Sequence, residues 1–260
     1  MILDKVRIKQ SFSAASLTYD SVAGLQRTVG RELLHAIDAT KLTDTLLDLG
    51  CGTGFLTGEL LVHSNYETVI ALDIALSMLQ TTQGKLSDKY RVNYICADAE
   101  HLPLAEKSID GVYSNLALQW CRNLEVVFTD IKRVLKPEGQ LVFSTFGPQT
   151  LQELKSAWAT VDNYNHVNTF YSEAQLKLFL QQAGFKNSQF KSKLYISPYD
   201  SVWMLMQELK CLGAQHVIAG RNKKITTKTA MQQMILAYEK YKVSGQISAT
   251  FEVISVIAKV

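Results

Sequence analysis

The chain has 260 residues, a formal net charge of +3, 47% hydrophobic residues and 20% charged ones, the balance of a globular protein with a sizeable core. No block of basic residues calls for nucleic acid, and no apolar run approaches the roughly 18 residues that span a bilayer. The four cysteines, Cys51, Cys96, Cys121 and Cys211, stand apart without CxxC pairs or ligand-spaced histidines, so neither a metal site nor a disulfide framework is expected and a reducing cytoplasm is. The N-terminus turns polar after Leu3 and lacks the apolar core of a signal peptide.

In chain order, a helical segment over about 10–37 comes first. Near-continuous apolar runs follow at Thr45–Leu49, Thr68–Asp73, Val92–Ala97, Ile109–Ser114 and Gln140–Phe146. Such runs read as parallel strands covered on both faces. Helical stretches at Phe55–Val62, Ser77–Ser87 and Leu124–Val134 alternate with them, which predicts right-handed crossovers and a doubly wound α/β sheet. Beyond Phe146 lie two more helical stretches, a strand candidate at Gln189–Ile196, a helical insertion over about 199–241 and a closing strand at Ala249–Lys259. One domain spanning 1–260 is expected. The insertion falls beside the strand ends, where open α/β sheets bind ligands, and reads as a lid.

The strongest motif is Leu46-Leu47-Asp48-Leu49-Gly50-Cys51-Gly52-Thr53-Gly54, a buried strand ending in a Gly-rich turn that opens into a helix. A dinucleotide site wants G-x-G-x-x-G with pyrophosphate on the helix N-terminus. Here the third glycine comes one residue early, and Phe55 holds the place it would need. The pattern instead resembles motif I of class I methyltransferases, whose turn packs against the methionine portion of S-adenosylmethionine. That resemblance places Asp48, Gly50, Cys51, Gly52 and Gly54 with the cofactor. It also implies a Rossmann-like open sheet, mostly parallel with an antiparallel last strand, plus an N-terminal helical cover and the lid.

Three further strand ends agree. Asp73 closes the second strand, where a carboxylate accepts both ribose hydroxyls, with Ile74 and Met78 just beyond it. Asp98 and Ala99 close the third strand, where the family's acid meets the adenine amino group. Asn115 and Leu116 follow the fourth, at the edge of the reacting methyl. Any one of these acids alone serves equally well as a helix N-cap.

A closer resemblance covers nearly the whole chain. Phe12-Ser13-Ala14-Ala15 with Tyr19 and Leu25-Gln26-Arg27, Ser114 through Cys121, Leu141 through Phe146, and Leu209 through Ala214 with Gly220-Arg221 resemble the malonyl-acyl-carrier-protein O-methyltransferases. Those enzymes methylate the free carboxylate of a malonyl thioester at the start of the pimeloyl branch of biotin synthesis. The resemblance implies S-adenosylmethionine as cofactor and a malonyl-loaded acyl carrier protein as partner, with malonyl-coenzyme A as the other thioester. A methyltransferase acting on another small carboxylic acid or a quinone precursor remains the alternative, followed by a non-catalytic cofactor-binding scaffold.

A carboxyl group with an ordinary pKa near ~4 is already a nucleophile at neutral pH, so no general base is required. Neutral donors are expected near the attacking oxygen, because a tight arginine would stabilise the anion against reaction. Tyr19, Gln119 and Trp120 are the candidate catalytic pocket residues. Lys210 and Arg221 are candidates for a substrate carboxylate or phosphate. Arg221, Lys223, Lys224 and Lys228 form a basic run suited to an acidic carrier. His166, a lone histidine in a polar loop, is assigned no chemistry.

Overall fold

The computed structural model describes residues 3–35, 44–63, 68–86, 91–214 and 226–260. Three helices lead: α1 (Lys5–Ala15), α2 (Tyr19–Val22) and α3 (Gly24–His35). The Asp4 side chain starts α1 by accepting from the Val6 and Arg7 amides, which satisfies two of the donors a helix start leaves open. The cover therefore begins earlier than the sequence reading placed it, and it is broken twice.

Strands and helices then alternate: β1 (Thr45–Leu49), α4 (Phe55–His63), β2 (Thr68–Asp73), α5 (Leu76–Leu86), β3 (Val92–Cys96), β4 (Ile109–Asn115), α6 (Leu124–Val134) and β5 (Leu135–Phe146). β5 starts directly at the end of α6, before the expected Gln140. Lys136-Pro137-Glu138-Gly139 forms an irregularity within the strand: Glu138 takes φ +67° and the β4–β5 register shifts between Ile109 and Gly111. The remainder is α7 (Gln152–Trp158), α8 (Glu173–Gln182), β6 (Ser188–Tyr199), α9 (Val202–Cys211), α10 (Lys228–Tyr238), β7 (Lys242–Val243) and β8 (Gln246–Lys259).

The sheet runs β3-β2-β1-β4-β5-β8-β6, with β7 paired to β8. The first five strands in that order are parallel neighbours, and β8 is antiparallel to both β5 and β6. One face packs Leu47, Leu49, Val112, Leu141 and Phe143 against Val127, Phe128 and Ile131 of α6 and Leu176 and Leu180 of α8. Each such burial stabilises by about 1.5–3 kcal/mol. The other face sets Leu46, Tyr113 and Val142 against Leu33 of α3 and Leu60 of α4. The Tyr113 hydroxyl donates to the Gly30 carbonyl at 2.9 Å, fastening the cover to the middle of the sheet. A separate cluster joins α7, α9 and α10 to β8 through Leu154, Trp158, Leu205, Met234, Tyr238 and Phe251. It stands at the antiparallel side. Among the described residues no helix is long and apolar enough to cross a membrane, and no metal-holding cluster of His, Cys, Asp and Glu occurs.

Candidate active site

Parallel strands end along one edge, and the first of those ends sets the floor of a cleft. The Gly50 and Cys51 amides both donate to the Leu72 carbonyl, at 2.7 and 3.0 Å, so the glycine turn is held against β2. Gly50 has φ +80° and a Cβ there would lie 2.4 Å from the Ala117 Cβ. Packing alone demands that glycine. Gly52, at φ +56°, would put a Cβ into open space with nothing within 4 Å, so its missing side chain leaves the cleft floor bare.

The cleft encloses about 760 Å³ up to its mouth, and its lining takes in Gly50, Gly52, Asp73, Ile74, Met78, Asp98, Ala99, Asn115 and Leu116. Asp73 accepts from Gly52 N at 3.0 Å and from Ala75 N at 2.8 Å. Burial raises its pKa, opposed by those backbone bonds, and each carboxylate oxygen keeps a second lone pair. Asp98 accepts from Glu100 N at 3.0 Å and pairs with Lys5 of α1, which also reaches Glu100 at 2.7 Å. Asn115 donates to the Gln26 carbonyl at 3.0 Å and accepts from the Ser144 hydroxyl at 2.8 Å. Leu116 takes φ +48°, a conformation that costs a non-glycine residue energy and occurs preferentially at functional sites. Its amide is fixed by the Ser144 carbonyl at 3.0 Å.

The cover roofs this cleft. Tyr19 lines it; burial first, then the charges of Asp73 and Asp20, push its phenol well above the ordinary range, so it is a neutral donor. Asp20 accepts from the Thr53 hydroxyl at 2.6 Å and pairs with Lys85, tying α2 to the glycine turn and α5. Phe12 meets Trp120 edge-on with ring centroids 5.3 Å apart.

Trp120 also lines a second chamber of about 1460 Å³ up to its mouth. Its walls are mainly apolar, from Phe146, Leu151, Leu154, Trp158, Phe170 and Phe251, with Gln26, His166, Asn168 and Lys210 among the polar members. His166 stacks on Trp158, centroids 3.7 Å apart and rings within 5° of parallel, and its Nε2 lies 2.8 Å from an Asp162 oxygen.

Several expected residues sit elsewhere. Asp48 and Cys51 line a smaller recess beneath α2 and α3 rather than the main cleft. Asp48 is buried and accepts from the Thr57 hydroxyl at 2.6 Å, supporting the turn from below. Gly54 lines neither space; a Cβ there would meet Thr82 Cγ2 at 2.4 Å, so it serves helix packing. Gln119 is turned inward: it donates to the Leu116 carbonyl at 2.6 Å and accepts from Thr145 at 3.3 Å, and it lines neither space. It braces the Leu116 turn. Lys210 is at the chamber, Lys228 is exposed at the start of α10, and Arg221, Lys223 and Lys224 lie outside the described residues. Lys5, Gln26 and Asn168 are lining residues that sequence reasoning passed over. Lys5 precedes the expected start of the cover, and a lone amide carries no spacing signal.

The family described as Methyltransferase domain matches residues 47–143, the stretch from β1 into β5. A SAM dependent methyltransferase from Archaeoglobus fulgidus shares the fold, with TM-score 0.55 and 19% identity over 94% of this chain and 98% of that one. The malonyl-[acyl-carrier protein] O-methyltransferase of Methylovorus sp. (strain MP688) is 39% identical, covering 97% of this chain and 88% of that protein. The biotin biosynthesis bifunctional protein BioHC of Cellvibrio japonicus (strain Ueda107) is 41% identical over 96% of this chain; the chain spans 49% of that longer protein. The cleft, the turn that floors it and the cover that roofs it thus lie within a likeness that runs nearly end to end, and the chain belongs to the malonyl-[acyl-carrier protein] O-methyltransferase family.

Proposed function

We propose that the chain transfers a methyl group from S-adenosyl-L-methionine to the free carboxylate of a malonyl thioester borne by an acyl carrier protein, a step of biotin synthesis. One observation carries this reading: the cleft of strand-end residues and the apolar chamber share Trp120 as a common wall. Two ligands, one in each space, would meet there.

The cleft residues fit that cofactor. Asp73 has lone pairs left for ribose hydroxyls, Asp98 accepts from an adenine amino group, and Ile74, Met78, Ala99 and Leu116 pack the nucleoside. The bare backbone at Gly52 admits the methionine end. When bound, the cofactor supplies a methyl group on a sulfonium. Asp48, Cys51 and Gly54 act by shaping the turn and Gln119 by holding Leu116.

In the cleft lining Tyr19 offers a neutral hydroxyl, and at the junction Trp120 excludes water. The nearest lysine in the cleft, Lys5, is bridged to Asp98 and Glu100, so it does not immobilise the attacking carboxylate. Positioning and removal of water then carry the reaction. Opposite charges ~4 Å apart attract by about 4 kcal/mol at an effective dielectric of 20. Incubation with labelled cofactor and a panel of acids and thioesters tests this. One methyl on oxygen of the malonyl thioester, none on its methyl ester, and a rate level between about pH 6.5 and 8.5 are expected. A bell-shaped profile with chemistry limiting overturns the base-free mechanism; no transfer to any malonyl thioester overturns the substrate.

A further inference from the structure

The chamber beyond Trp120 carries two buried acceptors that no described residue satisfies, Gln26 Oε1 and Asn168 Oδ1. Asn168 is 8% exposed, Gln26 projects from α3, and both line the chamber. A buried carbonyl oxygen without a donor keeps its desolvation cost uncompensated, and such groups are scarce in folded proteins. Other polar side chains on this wall are engaged: Thr150 donates to the Glu252 carbonyl at 3.0 Å, and His166 is held by Asp162.

The sign of these groups identifies the ligand. Carbonyl oxygens attract N–H and O–H donors and repel an anion. Aromatic and aliphatic walls around them penalise a charge further. These two oxygens therefore suit a neutral chain bearing amide N–H groups, while Lys210 on the same wall is the group that would meet an anion. On the thioester reading above, the reacting carboxylate lies at the Trp120 junction. The segment that then occupies the chamber is the thiol arm, and in a pantetheine-type arm that segment is an alkyl chain interrupted by amides.

We propose that Gln26 and Asn168 are positioning residues that accept hydrogen bonds from amide N–H groups of the acceptor's thioester arm.

The test compares two malonyl thioesters, one of N-acetylcysteamine and one of a plain alkanethiol of equal length. Wild type should favour the first by on the order of tenfold in kcat/KM, mainly through KM. Asn168→Leu and Gln26→Met, near-isosteric and without the acceptor, should reduce that preference while leaving S-adenosylhomocysteine affinity within about twofold. Equal use of the two thioesters by wild type overturns the proposal without any variant. Variants that keep the full preference, or that lose both substrates equally, overturn it as well. If wild type methylates neither thioester yet binds S-adenosylhomocysteine, the substrate reading fails instead.

Discussion

The strand-end cleft and the chamber beyond it adjoin at one tryptophan but are built in opposite ways. The cleft is a row of strand ends on the parallel half, each contributed by a short contiguous segment: Gly50–Gly52, Asp73–Ile74, Asp98–Ala99, Asn115–Leu116. The chamber draws its residues from several remote elements, from Gln26 on α3 through the 166–170 loop and α9 to Phe251 on β8. A parallel sheet aligns its strand ends by topology, so a cofactor site there needs only the right residue at each end. A chamber assembled from helices and loops on the antiparallel side has no such register. It is free to vary with the acceptor, as function is grafted onto a common fold.

The largest test of that contrast falls on the cleft floor. Gly52→Val places a β-branched residue in a left-handed conformation, at about 1–2 kcal/mol, and fills space a ligand would need. Calorimetric titration should show S-adenosylhomocysteine affinity falling by at least about a hundredfold, with circular dichroism unchanged. Gly50→Val should behave differently and lose the fold, since its Cβ meets Ala117. Unchanged affinity in a folded Gly52→Val protein would remove the cofactor from this cleft.

The roof of the cleft is tested next. Tyr19→Phe deletes a hydroxyl that burial and two nearby acids keep protonated. A hydrogen bond to a charged group is worth about 1.5–3 kcal/mol, so turnover of the malonyl thioester should fall roughly ten- to a hundredfold. S-adenosylhomocysteine affinity should stay within about threefold. Full turnover in the variant would make Tyr19 a packing residue of the cover.

The same division decides what was legible in the sequence. Strand–helix alternation gave the parallel half with little error at its ends, because buried parallel strands are apolar along their whole length, as in Thr68–Asp73. β5 begins before the expected Gln140 because Lys136-Pro137-Glu138-Gly139 breaks the apolar run by which the strand was read. Asp73, Asp98, Asn115 and Leu116, singled out from their place at strand ends, all line the cleft. Asp48, Cys51 and Gly54 belonged to the right motif, yet a motif does not say which residue faces the ligand and which supports the loop. Gln119 was misplaced for a similar reason: a short 3₁₀ turn at Leu118–Trp120 turns it inward and Trp120 toward the clefts. Asn168 carried no pattern at all; only the assembled chamber shows its unpartnered oxygen.

Smaller effects are expected from the part of the basic run that lies outside the described residues. Reversing Lys223 and Lys224 to Glu should raise the KM for a malonyl-loaded acidic carrier several-fold and scarcely change turnover of malonyl-coenzyme A. Added salt should weaken the wild type toward the carrier more than the variant, because complementary charge acts mainly on encounter. Equal kinetics at low salt would put carrier docking elsewhere.

The smallest effect on binding, and the sharpest separation of a lining residue from a supporting one, is expected at Asp48. Burial and then the charge of Asp73 raise its carboxyl to about 7, against the bond from Thr57. In the unfolded chain the same group titrates near ~3.9. Below that value both states hold the proton. Between the two values only the folded state does, so stability falls as pH rises through this window and levels off above about 7. Asp48→Asn keeps an acceptor for Thr57 and has no charge to bury. The variant should therefore match wild type in melting temperature at about pH 4, and gain progressively toward pH 8, where the advantage reaches about ten degrees. Because Asp48 lies outside the cleft lining, S-adenosylhomocysteine affinity should change by less than about twofold. A melting-temperature difference that does not vary with pH would show that Asp48 titrates normally in the fold. A large loss of affinity would place its carboxylate in contact with the ligand, and the cleft floor would then extend beneath the turn.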